Sequence, residues 1–178
     1  MELIGFPFQV MTSDAEEIIT SCDPAAVTEE LSWQKAHAAA ADIPDGEEAV
    51  VIGADTVVSV GGRILGKPKD TEEARSAICA IQGRDHMVYT GVTILVKDSG
   101  GIRAETFSEG TKVITAPMSG EEIEKYIVTE EPYDKAGAYG IQGSFARFIR
   151  GIEGDYYNVM GLPVHRLYER LKKIVDNV

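Results

Sequence analysis

The chain has 178 residues, 44% hydrophobic and 26% charged, with a formal net charge of −12 at pH 7. That size and mix predict one soluble domain with a continuous core. The acidity excludes a general nucleic-acid surface, because no basic stripe is present to displace counterions, and no apolar run approaches the roughly 20 residues of a membrane span.

The opening stretch "MELIGFPFQV" has no basic leader and too short an apolar run for a signal peptide, so a cytoplasmic protein is expected. Cys22 and Cys79 lie far apart and form no C-x-x-C, which suits free thiols in a reducing compartment. A single small polyanion remains an allowed ligand, provided that a few lysines converge and a divalent cation bridges carboxylates to phosphate oxygens.

In chain order, "FPFQVMTS" (6–13) reads as a strand. Residues 24–42 read as an alanine-rich helix capped by Asp23. "AVVIGADTVVSV" is a β-branched run typical of a strand buried on both faces, and "VGGRIL" turns it back in a Gly-Gly hairpin. Asp70 with Glu73 opens a helix of about 12 residues that Gly83 closes. "HMVYTGVTILVKD" and "IRAETFSEGTKVITA" are long strands joined by "DSGG". Ser119 and Glu122 make a second capping box, for a helix reaching about Thr129. A strand near "FARFIRGI" follows, then a final helix with Val164, Leu167, Leu171, Ile174 and Val175 on one face. Strands interleaved with helices, with at least one antiparallel hairpin, predict a mixed-sheet α/β or α+β domain.

Three stretches carry candidate chemistry. In "GADTVV", Asp55 interrupts an apolar run, and a carboxylate there is costly unless paired or metal-bound. It is either a strand-end residue bonded to local backbone or a metal ligand or general base. "GGRILGKP" meets the G-x-x-x-x-G-K part of a P-loop, but Pro68 replaces the metal-binding hydroxyl and a hairpin precedes it. Lys67 is then a solvated loop lysine or a point charge for phosphate. "EPYDKAGAYGIQG" places Glu131, Asp134, Lys135, three glycines and Gln142 together without helical or strand period. It is a structural loop with an internal Asp–Lys pair, or a turn that approaches a ligand closely while Gln142 reads a base edge. His37, His86 and His165 are dispersed and lack metal-ligand spacing. Trp33, and the tyrosine pair in "GDYYNVMGLP", are expected to pack.

Taken in order, "IGADTVV", "ILGKPKDTEEA", "GRDHMVYTGV", "EPYDKAGAYGIQG" and "GDYYNVMGLPVHRL" resemble the Maf family of nucleoside triphosphate pyrophosphatases, over residues 6 to about 171. The resemblance implies a long twisted mixed sheet with flanking helices in two lobes around a cleft, and one Maf-like domain spanning 1–178. It implies hydrolysis between the α and β phosphates with a divalent metal, Mg²⁺ or Mn²⁺. It also assigns Asp55 as catalytic carboxylate and metal ligand, Glu17 as metal ligand, and Lys35 and Lys67 as phosphate-side lysines. Gln142 matches the family's base-contacting glutamine, and Glu131, Asp134 and Lys135 join it as candidate substrate-binding residues. The form "DKAGAYGIQG" resembles the subgroup acting on dTTP and UTP. The expected partner is the nucleotide alone, without nucleic acid or membrane, and a homodimer is left open.

Family members carry a strand and an S-x-S-P-R-R loop ahead of the residues matching "ELIGFPF", and this sequence begins after them. Two lost arginine contacts would weaken phosphate binding by several kcal/mol, at ~1.5–3 kcal/mol for each charge-assisted bond. Lys135, Arg147 and Arg150 remain as nearby cations. Two readings follow: an active dTTP/UTP pyrophosphatase that removes surplus or noncanonical nucleotides, or a nucleotide-binding or protein-interaction module on the same scaffold, tied to cell division (the septum-formation link of the family name).

Overall fold

Helix α1 (Pro24–Ala41) begins where the sequence places it, with Asp23 as the flanking residue. Pro24 starts it with a preset φ and no wasted N–H. The Asp23 side chain makes no capping bond; its backbone N–H donates to Ser21 Oγ at 3.1 Å. The computed structural model describes residues 1–12 and 17–175, the last without its side chain.

After α1 come β1 (Ala49–Val60), β2 (Arg63–Leu65), α2 (Thr71–Ile81), β3 (Asp85–Asp98), β4 (Gly101–Thr115), α3 (Gly120–Ile127), β5 (Ile149–Glu153), α4 (Tyr156–Val159) and α5 (Val164–Val175). The strands form one sheet in the order β2-β1-β3-β4-β5, with β1–β2 and β4–β5 antiparallel. The result is a mixed α/β fold whose sheet is flanked by helices. Gly61 and Gly62, both at positive φ, close the β1–β2 hairpin. Asp70 accepts from Glu73 N at the start of α2, and Ser119 with Glu122 makes the full reciprocal box at α3.

The chain divides into two units, Met1–Asp55 with Thr90–Glu109 and Gly161–Val178, and Thr56–Tyr89 with Gly110–Met160. In the first, Val92, Ile94, Phe107, Leu167 and Leu171 form an apolar cluster, with Val164 and Ile174 packed against it as the α5 periodicity predicts. The Val175 side chain lies outside the described residues. In the second, Ile78, Ile81, Val88, Val113, Tyr126 and Phe145 are among the residues of its core.

Four expectations change. Residues 6–12 form no strand, and Ser13 lies outside the described residues. Phe8, Val10 and Met11 are exposed, so no buried face selects a pairing register there. In "FARFIRGI" the first half is a 3₁₀ helix (Ser144–Phe148) and only the second half is strand. Phe145 and Phe148 are both buried, and a 3₁₀ turn sets i and i+3 on one side where a strand would oppose them. Trp33 is 48% exposed and stacks on His37 at 3.7 Å between centroids, so it is not core. Tyr156 and Tyr157 are also exposed, and it is Asn158 between them and β4 that is buried, donating to Val88 O and Thr111 Oγ1.

Within the first unit α1 lies on the sheet at backbone distance. A Cβ at Gly91 would stand 2.1 Å from Thr28 O, and one at Gly53 would stand 2.3 Å from Ser32 O. Glycine is therefore required at both places. Hydroxyls tie the same face down: Thr28 to Ser108 at 3.1 Å, Ser32 to Thr93 at 3.0 Å, and Thr93 to Thr106 at 2.9 Å. Replacing Gly91 by Ala should destabilise the protein by about 1–3 kcal/mol, the usual cost of overpacking. In urea titration this predicts a lower midpoint with an unchanged slope; an unaltered midpoint would refute the backbone contact.

Candidate functional site

Three of the sequence candidates meet in the first unit. Lys35, one turn beyond Ser32 on α1, points its ammonium at two carboxylates. Its Nζ donates to Asp55 Oδ1 and lies 3.1 Å from Glu17 Oε1. Asp55 is on β1, two residues after Gly53 and so on the same face of the strand, which is the face α1 covers. The Asp55 side chain is only 14% exposed, so its charge needs this partner. Burial pulls the Lys35 ammonium toward neutrality, but the bonds and charges of Asp55 and Glu17 outweigh it and hold the pKa above its ordinary value. Lys35 stays charged between the two acids.

Glu17 reaches this point on a segment without helix or strand, residues 17–20, laid along α1. Gln34 Oε1 accepts from Ile18 N at 2.9 Å, and Gln34 Nε2 donates to Ile18 O at 2.6 Å. Thr20 N and Oγ1 both donate to Glu30, at 2.9 and 2.5 Å. Sequence reasoning missed Gln34 and Glu30. Their four-residue spacing puts them on one helix face, but nothing in sequence says what that face holds. A hollow of about 680 Å³ in this unit, lined by Phe6, Phe8, Gln9, Ile43, Glu47 and Leu171 among others, includes none of the candidates.

The second unit holds the other group. Lys67 is exposed in the loop after β2. Asp134 takes two hydrogen bonds from Lys135 Nζ, at 2.8 and 2.9 Å, so the internal acid–lysine pair is present. The Asp134 carboxyl is held below its ordinary range first by those bonds, and by a smaller share from the Lys67 charge. Gly137 N donates to Gly66 O at 3.0 Å, joining this segment to the Lys67 loop. Gln142 is exposed, its amide available to a ligand.

Glu131 faces inward. Its carboxylate accepts from Ser144 N at 2.7 Å, Ser144 Oγ at 2.6 Å, Phe145 N at 3.3 Å and Tyr126 OH at 3.0 Å. It therefore caps the 3₁₀ helix that follows Gln142. Gly143 is glycine because a Cβ would lie 2.2 Å from Glu131 Oε1, and Gly137, at φ 68°, would strike Val58 at 2.8 Å. The glycines of the segment thus serve close approaches within the protein itself.

Burial raises the Glu131 pKa, but the Ser144, Phe145 and Tyr126 bonds prevail and leave it below the reference 4.5. A depressed folded-state pKa gives stability that is present above the unfolded value and lost as pH falls through the folded one. Glu131→Gln should therefore cost about 1–2 kcal/mol at pH 7. The gap from wild type should close below about pH 4.5, where the native carboxylate also protonates, when thermal unfolding is followed across pH. A gap independent of pH would show that charge has no part in the cap.

The profile of the family described as Maf-like protein matches residues 1–174. A relative from Agathobacter rectalis named dTTP/UTP pyrophosphatase is 48% identical, over 98% of this chain and 90% of its own. Relatives of the same name from Bacillus cytotoxicus and Carboxydothermus hydrogenoformans are 46% and 48% identical, over 97% and 93% of this chain and 87% of their own length in each case. The chain belongs to the Maf family.

Proposed function

We propose that the protein hydrolyses a pyrimidine nucleoside triphosphate, dTTP or UTP, between the α and β phosphates, giving the monophosphate and pyrophosphate. The relatives' names supply the substrate class. The observation that carries the chemistry is the meeting of Glu17 and Asp55 on one cation, the Lys35 ammonium.

That meeting also tests whether a divalent metal fits. Two carboxylates already converge on a positive charge, and both are hard oxygen donors. Mg²⁺ and Mn²⁺ suit such a set, taking one or two carboxylates and filling the shell with phosphate oxygens and water. Glu17 and Asp55 are the carboxylates that would hold such an ion. Bound there, the ion would neutralise phosphate charge as pyrophosphate leaves.

The chain's own groups then take these roles. Asp55 accepts a proton from the attacking water, and its near-burial limits competing solvent. Lys35 exchanges its carboxylate partners for phosphate oxygens, remaining charged throughout. Lys67 adds a second point charge on the phosphate side. Gln142 offers a donor and an acceptor to the edge of a pyrimidine, while Glu131 fixes the loop that carries it. Asp134 holds Lys135 in place near that loop. The free thiols Cys22 and Cys79 support a cytoplasmic setting.

Pyrophosphate release from dTTP and UTP tests this. Asp55→Asn should reduce turnover by ~10²–10⁴-fold, the range for losing a general base, while the unfolding temperature is maintained. Turnover equal to wild type would exclude the role. Gln142→Ala should narrow the preference for pyrimidine over purine triphosphates more than it lowers turnover; an equal loss on all nucleotides would remove Gln142 from base reading.

A further inference from the structure

We propose that Gln34 and Glu30 are positioning residues, clamping residues 17–20 to α1 so that Glu17 is presented to the cation beside Asp55. The inference rests on the metal role given to Glu17 above, but its observations are separate. The Gln34 amide engages both backbone groups of Ile18, at 2.9 and 2.6 Å, as a neighbouring strand would. Glu30 takes both Thr20 donors, at 2.9 and 2.5 Å.

The contacts form a consistent register. Glu17 meets Lys35, Ile18 meets Gln34 and Thr20 meets Glu30, so the segment descends α1 toward its N-terminus before turning in at Pro24. Apolar burial contributes little here, since Ile18 and Ile19 are 63% and 54% exposed. Polar bonds to two helix side chains do the holding. A ligand carboxylate on an otherwise loose segment must be ordered when the metal binds; a clamped one is ordered beforehand. The clamp carries a charge. The Thr20 hydroxyl and N–H hold the Glu30 carboxyl below its ordinary pKa, so the grip is fully formed at neutral pH.

The test uses five proteins: wild type, Gln34→Ala, Gln34→Glu, Glu30→Gln and Glu17→Gln. Amide hydrogen exchange reads the clamp directly. Gln34→Ala and Glu30→Gln should lose protection at Ile18 and Thr20 while β1 and β3 keep theirs. Mn²⁺ titration of pyrophosphate release from dTTP reads the consequence. Both clamp variants should need about 10-fold more Mn²⁺ for half-activation, the low end for losing a partner that orients a metal ligand, with turnover at saturating Mn²⁺ within about 2-fold of wild type. Gln34→Glu should fall between, since it keeps an acceptor for Ile18 N and loses the donor to Ile18 O. If the clamp variants lose protection but keep the wild-type Mn²⁺ response while Glu17→Gln shifts it, the positioning role is overturned and the metal role stands. If Glu17→Gln leaves the Mn²⁺ response unchanged, the metal role fails, and the positioning role with it. Unchanged protection at Ile18 and Thr20 in both clamp variants would show that no clamp exists.

Discussion

The close seating of α1 on the sheet is the constraint from which the first unit's chemistry follows. Only residues without a Cβ at positions 53 and 91 let the helix backbone come this near, since a methyl at either would overlap the carbonyl of Ser32 or Thr28. The helix matches them with a stripe of small groups, Thr28, Ser32 and Ala36, all fully buried. Hydroxyls in that stripe are tolerated because each finds a partner: Thr28 also donates to Ala25 O, and Ser32 to Glu29 O. At this separation a lysine one turn further along reaches a strand carboxylate directly. A helix held further off the sheet by large apolar side chains would place that ammonium elsewhere.

The same stripe explains why some of the structure was legible in sequence and some was not. The α2 and α3 caps, the β1–β2 hairpin and the α5 periodicity depend on neighbours within a few residues, and they are found where local chemistry puts them. The seating of α1 depends on glycines that look, in sequence, like ordinary breaks in a strand. Its signal is a pairing of small residues every fourth position with a glycine inside a β-branched run, and neither half is decisive alone. Residues 145–148 misled because Phe145-x-x-Phe148 has a spacing of three, which a strand reading passes over. Residues 6–12 misled because a run of apolar residues was taken for a buried one.

The candidate site shows the same division. Asp55 stood out because a carboxylate in an apolar strand demands a partner, and the partner exists. Nothing local identifies Lys35 as that partner, 20 residues earlier; only the family resemblance pointed to it. Glu131 is a candidate substrate contact in the sequence. Its own bonds go to the start of the following 3₁₀ helix, 13 and 14 residues on. Such a partnership is invisible until the chain has folded back.

An acidic protein that receives a polyanion must first deal with its own carboxylates. Two of them about 5 Å apart at an effective dielectric near 20 repel by roughly 3 kcal/mol, before any phosphate arrives. Lys35 offsets such repulsion in the resting protein, its own charge held by the acids it bridges. On the proposed function, a divalent cation held by Glu17 and Asp55 would take over the two carboxylates and leave the ammonium to face phosphate. Such an exchange would let a chain of net charge −12 bind a triphosphate, with the positive charge either stored among its acids or brought by the ligand.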